Sequence, residues 1–384
     1  MRILVISDLP HFVTGGAEMQ AMRLIESWLD TGHQVVCLGR RMGAGPVTVG
    51  SHSVEVRRIR TTSLLGRWGR ATSYFLSLAW LLVRYRRWAD VVYTRFLGEA
   101  ATTAAVLKAA RVLDTPLVAT PANTHGSGDT LQLRSLPFGA SLVRLLDRQC
   151  DAINLIADDM VGDLHATGFD GHNFSRIPNG VPLQAPPSGR KSKPLRFVSV
   201  GRLTPQKGYD VLLRSVARLR ERLGDTRIQI IGDGPERDQL QALAHELRVD
   251  NLIEWLGELS QETVVRQLDA AHAFLLPSRY EGMSNAGLEA MERCLPLVMS
   301  RCGGLDQYID TEIGWVVAPE DEAALADALA QALAAGPERL AKMGAAARRC
   351  VEREFDMRVI GKRYLDLFEQ LRERDTAATS HTRA

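Results

Sequence analysis

Short apolar runs recur along the chain, each bounded by turn residues and followed by a stretch with helical periodicity. In the first half the runs are RILVIS, QVVCL, DVVYT, PLVAT and AINLI; in the second they are LRFVSVG, RIQIIG, LIEWLG, HAFLLP and LPLVM. Residues 17–31 and 99–112 are examples of the amphipathic stretches between them. Alternation of this kind predicts doubly wound parallel α/β sheets. Between the halves, PNGVPLQAPPSGRKSKP (178–194) carries five prolines and no apolar periodicity, which reads as an extended linker. The predicted organisation is therefore a Rossmann-like domain over 1–180, a linker over 181–194 and a second Rossmann-like domain over 195–355. A helix from 356 is expected to cross back to the first domain and end in a polar tail at 384. Two such domains imply a cleft faced by the carboxyl ends of both sheets, where ligands of these sheets bind.

Composition narrows the function classes. At 384 residues the chain exceeds what one core ordinarily supports. A net charge of +2 argues against a generic nucleic-acid binder, although the first 190 residues hold 20 cations against 15 acids and are the basic half. Cys37, Cys150, Cys294, Cys302 and Cys350 are scattered, which suits neither a disulfide framework nor a zinc site and fits a reducing cytoplasm. The chain enters a strand within its first residues, with no signal-type segment ahead of it. Its longest apolar run, YFLSLAWLLV (74–83), falls well short of the roughly 20 residues a membrane span needs. The expectation is a cytoplasmic protein, soluble or peripheral at a membrane.

Candidate chemistry collects in the loops after strands. Gly15 and Gly16 follow the first strand and open a helix, where close backbone approach and helix N–H groups suit an anion. An ordinary βα turn has the same appearance. Past the strand FVSV, Arg202 and Lys207 flank a proline turn, well placed for a pair of phosphates or simply solvated. IIGDGPERDQL adds a glycine turn at Gly232 of the sort that walls a nucleotide pocket. In PSRYEGMSNAGLEAM (277–291), Glu281 belongs to a loop bracketed by Pro277 and Gly282, and a helix is expected to begin near Ser284. Glu289 then lies about a turn and a half inside it among apolar neighbours, where a carboxylate needs partners such as sugar hydroxyls. Spacing alone leaves the two glutamates open as an acid/base pair, as two ligands of one polar substrate, or as a solvated helix face.

The succession GGAE, IPNGV, VGRLTPQKGYDVLL, IIGDGPERDQL, LLPSRYEGMSNAGLEAM and GWVVAPED resembles the retaining glycosyltransferases of the GT-B fold called group 1 or family 4. The resemblance covers residues 1 to about 372 and is most specific in the second half. It implies an N-terminal acceptor-binding domain and a C-terminal domain that holds a nucleotide sugar of UDP, GDP or similar type. By motif match, Arg202 and Lys207 would bind the departing diphosphate and Glu281 the transferred sugar. Glu289 would bind the ribose, the N–H groups of Ser284, Asn285 and Ala286 the phosphates, and Gly15 and Gly16 would approach from the other domain. No Asp-x-Asp occurs, so no cofactor or chelated metal is expected and fixed cations would replace it. His125 matches a catalytic-site histidine of relatives only loosely, coming late in VATPANTHGSGD, and Gln307 stands where relatives often carry a glutamate. On this resemblance the glutamates are not the acid/base couple of a hydrolase. A nucleotide-sugar epimerase of the same architecture and a non-catalytic nucleotide-sugar-binding module are the competing readings.

One stretch lies outside these motifs. Residues 56–89 hold eight arginines and no acid, interleaved with Leu64, Leu65, Trp68, Tyr74, Phe75 and Trp80. A buried helix with basic ends and a surface that touches anionic lipid both fit. The resemblance, whose members act on glycan or lipid-linked acceptors, favours peripheral contact with an anionic membrane.

Overall fold

The computed structural model describes the chain except residues 11, 13–14, 63, 65, 124–127, 129–132, 137, 189–193 and 382–384, and the side chains of 67 and 375–381. It comprises two compact units, Met1–Gly180 together with Met357–Ala384, and Val181–Asp356.

The first unit is built on an eight-stranded sheet. Its strands are β1 (Arg2–Ile6), β2 (Gln34–Gly39), β3 (Gly45–Val49), β4 (His52–Arg58), β5 (Val91–Thr94), β6 (Leu117–Ala119), β7 (Ala152–Leu155) and β8 (Phe174–Arg176). Their order is β3-β4-β2-β1-β5-β6-β7-β8, parallel except for the β3–β4 hairpin. In β1, β5, β6 and β7 every position but Arg2 is buried, as in strands covered by helices on both faces. The helix Met357–His381 belongs to this unit and seals one face of its core. Trp28 packs edge-on against Tyr93, Tyr364 and Phe368, and its Nε1 donates to the Gly361 carbonyl at 3.2 Å. Full burial of each such side chain contributes roughly 1.5–3 kcal/mol.

The second unit carries six parallel strands: β9 (Arg196–Val200), β10 (Arg227–Ile231), β11 (Ile253–Gly257), β12 (Ala273–Leu276), β13 (Leu297–Ser300) and β14 (Gly314–Val317). The order is β11-β10-β9-β12-β13-β14. Chain direction across the sheet reverses between β9 and β12, whose residues Phe197 and Val198 pair with Ala273 and Phe274. Such a reversal parts the loops at the strands' carboxyl ends and opens a crevice there.

The proline-rich segment is no free tether at its start. Val181 to Ser188 belongs to the second unit, and two buried arginines hold it. Arg348 donates to the Gln184 carbonyl (2.9 Å) and the Glu292 carboxylate (2.6 Å), and Glu292 in turn accepts from the Gln184 N–H (2.8 Å). Arg293 reaches the Ala185 carbonyl (2.9 Å) and Asp269 (2.6 Å). The Val181 N–H donates to Phe355, so the segment entering this unit lies beside the one leaving it. Proline-rich composition described the backbone but not its partners, which come from 108 or more residues away in sequence.

Glu292 is only 3 % exposed, and the Arg348 guanidinium is its nearest cation. Arg348→Ala leaves that carboxylate buried without its main partner and is expected to cost about 3–5 kcal/mol in chemical denaturation of the second unit. A change below about 1 kcal/mol would show that the segment is held by other means.

Candidate active site

The second unit's crevice is assembled from two loops, one after β9 and one after β12. The first runs through a 3-10 turn, Pro205–Lys207, to the helix Tyr209–Leu223. Gly208 links turn and helix at φ +64°, and a Cβ there would come 2.1 Å from the Pro277 carbonyl oxygen. Only glycine allows the two loops to approach so closely. The contact is reinforced on both sides. The Arg279 N–H donates to the Gln206 carbonyl (2.8 Å), and Gln206 Nε2 donates to the Tyr280 carbonyl (3.0 Å). The Arg279 guanidinium grips Asp210 with two parallel bonds of 3.0 and 2.9 Å. Burial disfavours the Asp210 carboxylate, but these bonds outweigh that and hold its pKa below the usual range.

At the centre lies an ion pair. Lys207 Nζ donates to Glu281 Oε1 at 2.5 Å, and Ser278 Oγ donates to the same oxygen at 2.7 Å. Glu281 is 7 % exposed, and its own N–H donates to the Cys302 carbonyl beyond β13. Burial opposes the charge on Lys207. The Glu281 carboxylate overcomes that penalty and raises the ammonium's pKa above its ordinary value. Burial, aided by Glu281, also pushes the Cys302 thiol up, so it is no nucleophile at neutral pH.

The other predicted residues take distinct places. Arg202, in the β9 loop, is exposed and makes no ion pair among the described residues. Gly232 follows β10 at φ +130°, where a Cβ would lie 2.1 Å from the Gly201 carbonyl oxygen. Its glycine requirement thus comes from packing of the β9 and β10 loops. Ser284 caps the helix Asn285–Glu292, its hydroxyl accepting the Gly287 N–H at 3.2 Å. Asn285 and Ala286 form the first turn of that helix, and Glu289 sits half-buried within it. Gly15 and Gly16 belong to the first unit, at the start of the helix Gly16–Asp30. The backbone of Gly15 is extended (φ −162°), a conformation open to any residue. His125 lies outside the described residues. Gln307 falls within a short 3-10 turn, Asp306–Tyr308, after the Gly303–Gly304 pair.

Comparison with known proteins places this site in a family. The family described as glycosyl transferases group 1 matches residues 182–350, and glycosyltransferase family 4 matches residues 14–185. The chain belongs to the group 1 / family 4 glycosyltransferases. It is 29% identical over 298 residues to a putative colanic acid biosynthesis glycosyltransferase, WcaL of Escherichia coli K12, covering 74% of this chain and 71% of that one. It is 31% identical over 214 residues to a GDP-mannose-dependent phosphatidylinositol monomannoside mannosyltransferase of Mycolicibacterium smegmatis, 54% of this chain and 56% of that one. Anabaena HepE, solved in complex with UDP-glucose, superposes with a TM-score of 0.74 at 17% identity, over 96% of this chain and all of that one. The fold of this glycosyltransferase is accordingly GT-B.

Four residues that contribute were not singled out from the sequence. Ser278 shares the carboxylate of Glu281, Arg279 and Asp210 clamp the two loops, and the Cys302 carbonyl fixes the Glu281 backbone. Ser278 and Arg279 stand within three residues of Glu281, so the signal was there as proximity. The partners of Arg279 and Glu281 come from other loops, and nothing local announces them.

The Lys207 ion pair has a sign that can be checked. Its folded pKa lies above the unfolded value of 10.5, so its contribution to stability is complete below that pH. It is lost as pH rises through the folded value. Relative to Lys207→Met, the glycosyltransferase should therefore lose stability more steeply above pH 10.5, read as melting temperature against pH. Parallel curves for the two proteins would contradict the pairing.

Proposed function

We propose that this glycosyltransferase moves a sugar from a nucleotide-diphosphate donor to a hydroxyl of a glycan or lipid-linked acceptor, with retention and without a metal. The observation that carries the reading is the Lys207–Glu281 pair at the point where strand order reverses, with Arg202, exposed and without an ion pair among the described residues, in the same β9 loop. UDP-glucose bound by HepE supports the donor class. The names of WcaL and of the phosphatidylinositol mannoside mannosyltransferase support synthesis of a surface polysaccharide or glycolipid.

The residues divide the work as follows. As the bond from the anomeric carbon to the diphosphate oxygen breaks, negative charge gathers on the leaving group. Lys207, held in place by Glu281, and Arg202 from the same loop stabilise that charge as fixed and approaching cations. N–H groups of the first turn of the Asn285–Glu292 helix cap the phosphates. The acceptor oxygen bonds to the anomeric carbon on the face the diphosphate leaves, and its proton passes to the departing phosphate oxygen. Glu281 is a poor general base, because its Oε1 already accepts from an ammonium and a hydroxyl. Its remaining acceptor capacity orients sugar hydroxyls, and Glu289 takes the ribose.

Two substitutions separate these roles. Lys207→Ala should weaken nucleoside-diphosphate binding about 10- to 100-fold, the worth of a charge-assisted hydrogen bond. Glu281→Ala should lower transfer by about a hundredfold or more through lost positioning, while nucleotide affinity survives. Calorimetric titration with UDP and GDP and a coupled assay of diphosphate release read the two effects. Unchanged turnover in the glutamate variant would remove its sugar role, and unchanged affinity in the lysine variant would remove the phosphate role.

A further inference from the structure

The Arg279 guanidinium ties three loops of the second unit together. Its Nη1 donates to the Pro205 carbonyl at 2.6 Å and to Asp210 Oδ1 at 3.0 Å, and its Nη2 donates to Asp210 Oδ2 at 2.9 Å. Its Nε donates to Glu320 Oε1 at 2.8 Å, in the loop between β14 and the helix Glu322–Glu354. Arg279 itself stands in the loop after β12, so its partners reach it from the β9 and β14 loops on either side.

Stability alone does not account for the Glu320 arm of this tie. The Glu320 side chain is 66% exposed, and exposed ion pairs add little to folding. Yet its backbone keeps a left-handed φ of +62°, a conformation strained for a residue with a Cβ. Strain held at the rim of a crevice points to function, and the neighbouring residues supply one. Pro205 and Lys207 share a single 3-10 turn, and Arg279 precedes Glu281 by two residues in one loop. Among the described residues Arg279 makes no hydrogen bond or ion pair with Lys207 or Glu281. It grips the segments that carry them.

We infer that Arg279 is a positioning residue for sugar transfer, which holds the Lys207 turn and the Glu281 loop at the separation the donor requires, with Glu320 aligning its guanidinium. Lysine is no substitute, because a point charge on a flexible stem cannot offer Asp210 a planar fork while bonding two other loops. The inference rests on the donor reading proposed above and adds a control outside the residues assigned to the donor. A cavity of about 410 Å3 borders the tie, lined by Pro205, Asp210, Arg214, Glu236 and Arg279, and Lys207 and Glu281 are not among its walls. Truncating Arg279 leaves Asp210 facing that cavity, where a free guanidinium ion has room.

Diphosphate release from UDP-glucose and GDP-mannose, with water as the acceptor, tests it on the full chain. Arg279→Ala should lower kcat about a hundredfold through misplacement of the reacting groups. Affinity for UDP or GDP should fall less than about tenfold, because the Lys207 charge stays near and acts over distance. Millimolar guanidinium chloride should restore most of the lost turnover, while equal sodium chloride or ammonium chloride should not. Arg279→Lys should remain as slow as Arg279→Ala. Glu320→Gly relieves the backbone strain and removes the carboxylate, so its melting temperature should hold or rise while kcat falls about threefold. Full turnover in Arg279→Ala or Arg279→Lys, a kcat in Glu320→Gly that simply follows stability, or a rescue that sodium chloride matches would each overturn the inference. Full turnover in these variants alongside normal nucleotide binding would leave the donor reading standing and remove only the role of Arg279. An unaltered protein that neither binds UDP or GDP nor cleaves either sugar nucleotide would instead sink the donor reading, and this role with it.

Discussion

The second unit's site depends on burying a carboxylate where the strand order reverses. Glu281 sits at the carboxyl end of β12, and an isolated charge there would be too costly to keep ionised. Lys207, from the end of the adjacent β9, neutralises it at 2.5 Å. The remaining features of the two loops serve that pairing. Glycine at 208 lets the β9 loop pass the Pro277 carbonyl, and Arg279 clamps Asp210 at the start of the following helix. Ser278 takes up a second lone pair of Glu281, and the Cys302 carbonyl pins its backbone. Breaking the pair would leave one buried charge uncompensated, so the loops' geometry and their electrostatics stand or fall together.

That arrangement gives stability and function a shared cause. A lysine whose pKa is raised by a carboxylate stays charged through any physiological pH, as a phosphate-binding cation requires. The same carboxylate, already accepting two hydrogen bonds, is disqualified as a base and suited to orienting hydroxyls. Arg202 differs: exposed and unpaired among the described residues, it contributes little to the fold and is free to meet a ligand. A site built from one constrained cation and one unconstrained cation can hold a diphosphate before and after its bond to the sugar breaks.

Much of this was legible in the sequence, and the reason is physical. Strands buried on both faces read as unbroken apolar runs, and all ten runs singled out became strands. The edge strand β11 was among them, but β3, β4, β8 and β14 were not read. The β3–β4 hairpin alternates Val47, Val49, Val54 and Val56 with polar residues, and β8 and β14 are short or only half-buried. Motif order placed Lys207 and Glu281 at strand ends, but not their bond to each other, which joins positions 74 residues apart. Gly232 was read as a pocket glycine, and its φ of +130° against the Gly201 carbonyl supplies a packing reason that no local pattern reveals. The linker reading of 181–194 missed Arg348 and Arg293 for the same reason.

The account's central claim is that the Lys207–Glu281 pair is the floor of a diphosphate site. The most direct test is a crystal structure of the protein with a nucleoside diphosphate, read as the distance from Lys207 Nζ to the nearest phosphate oxygen. The account predicts direct contact, within the roughly 2.7–3.2 Å of a hydrogen bond, with Glu281 still on the opposite side of the ammonium. A diphosphate bound away from Lys207, with the ion pair undisturbed and facing only solvent, would contradict it.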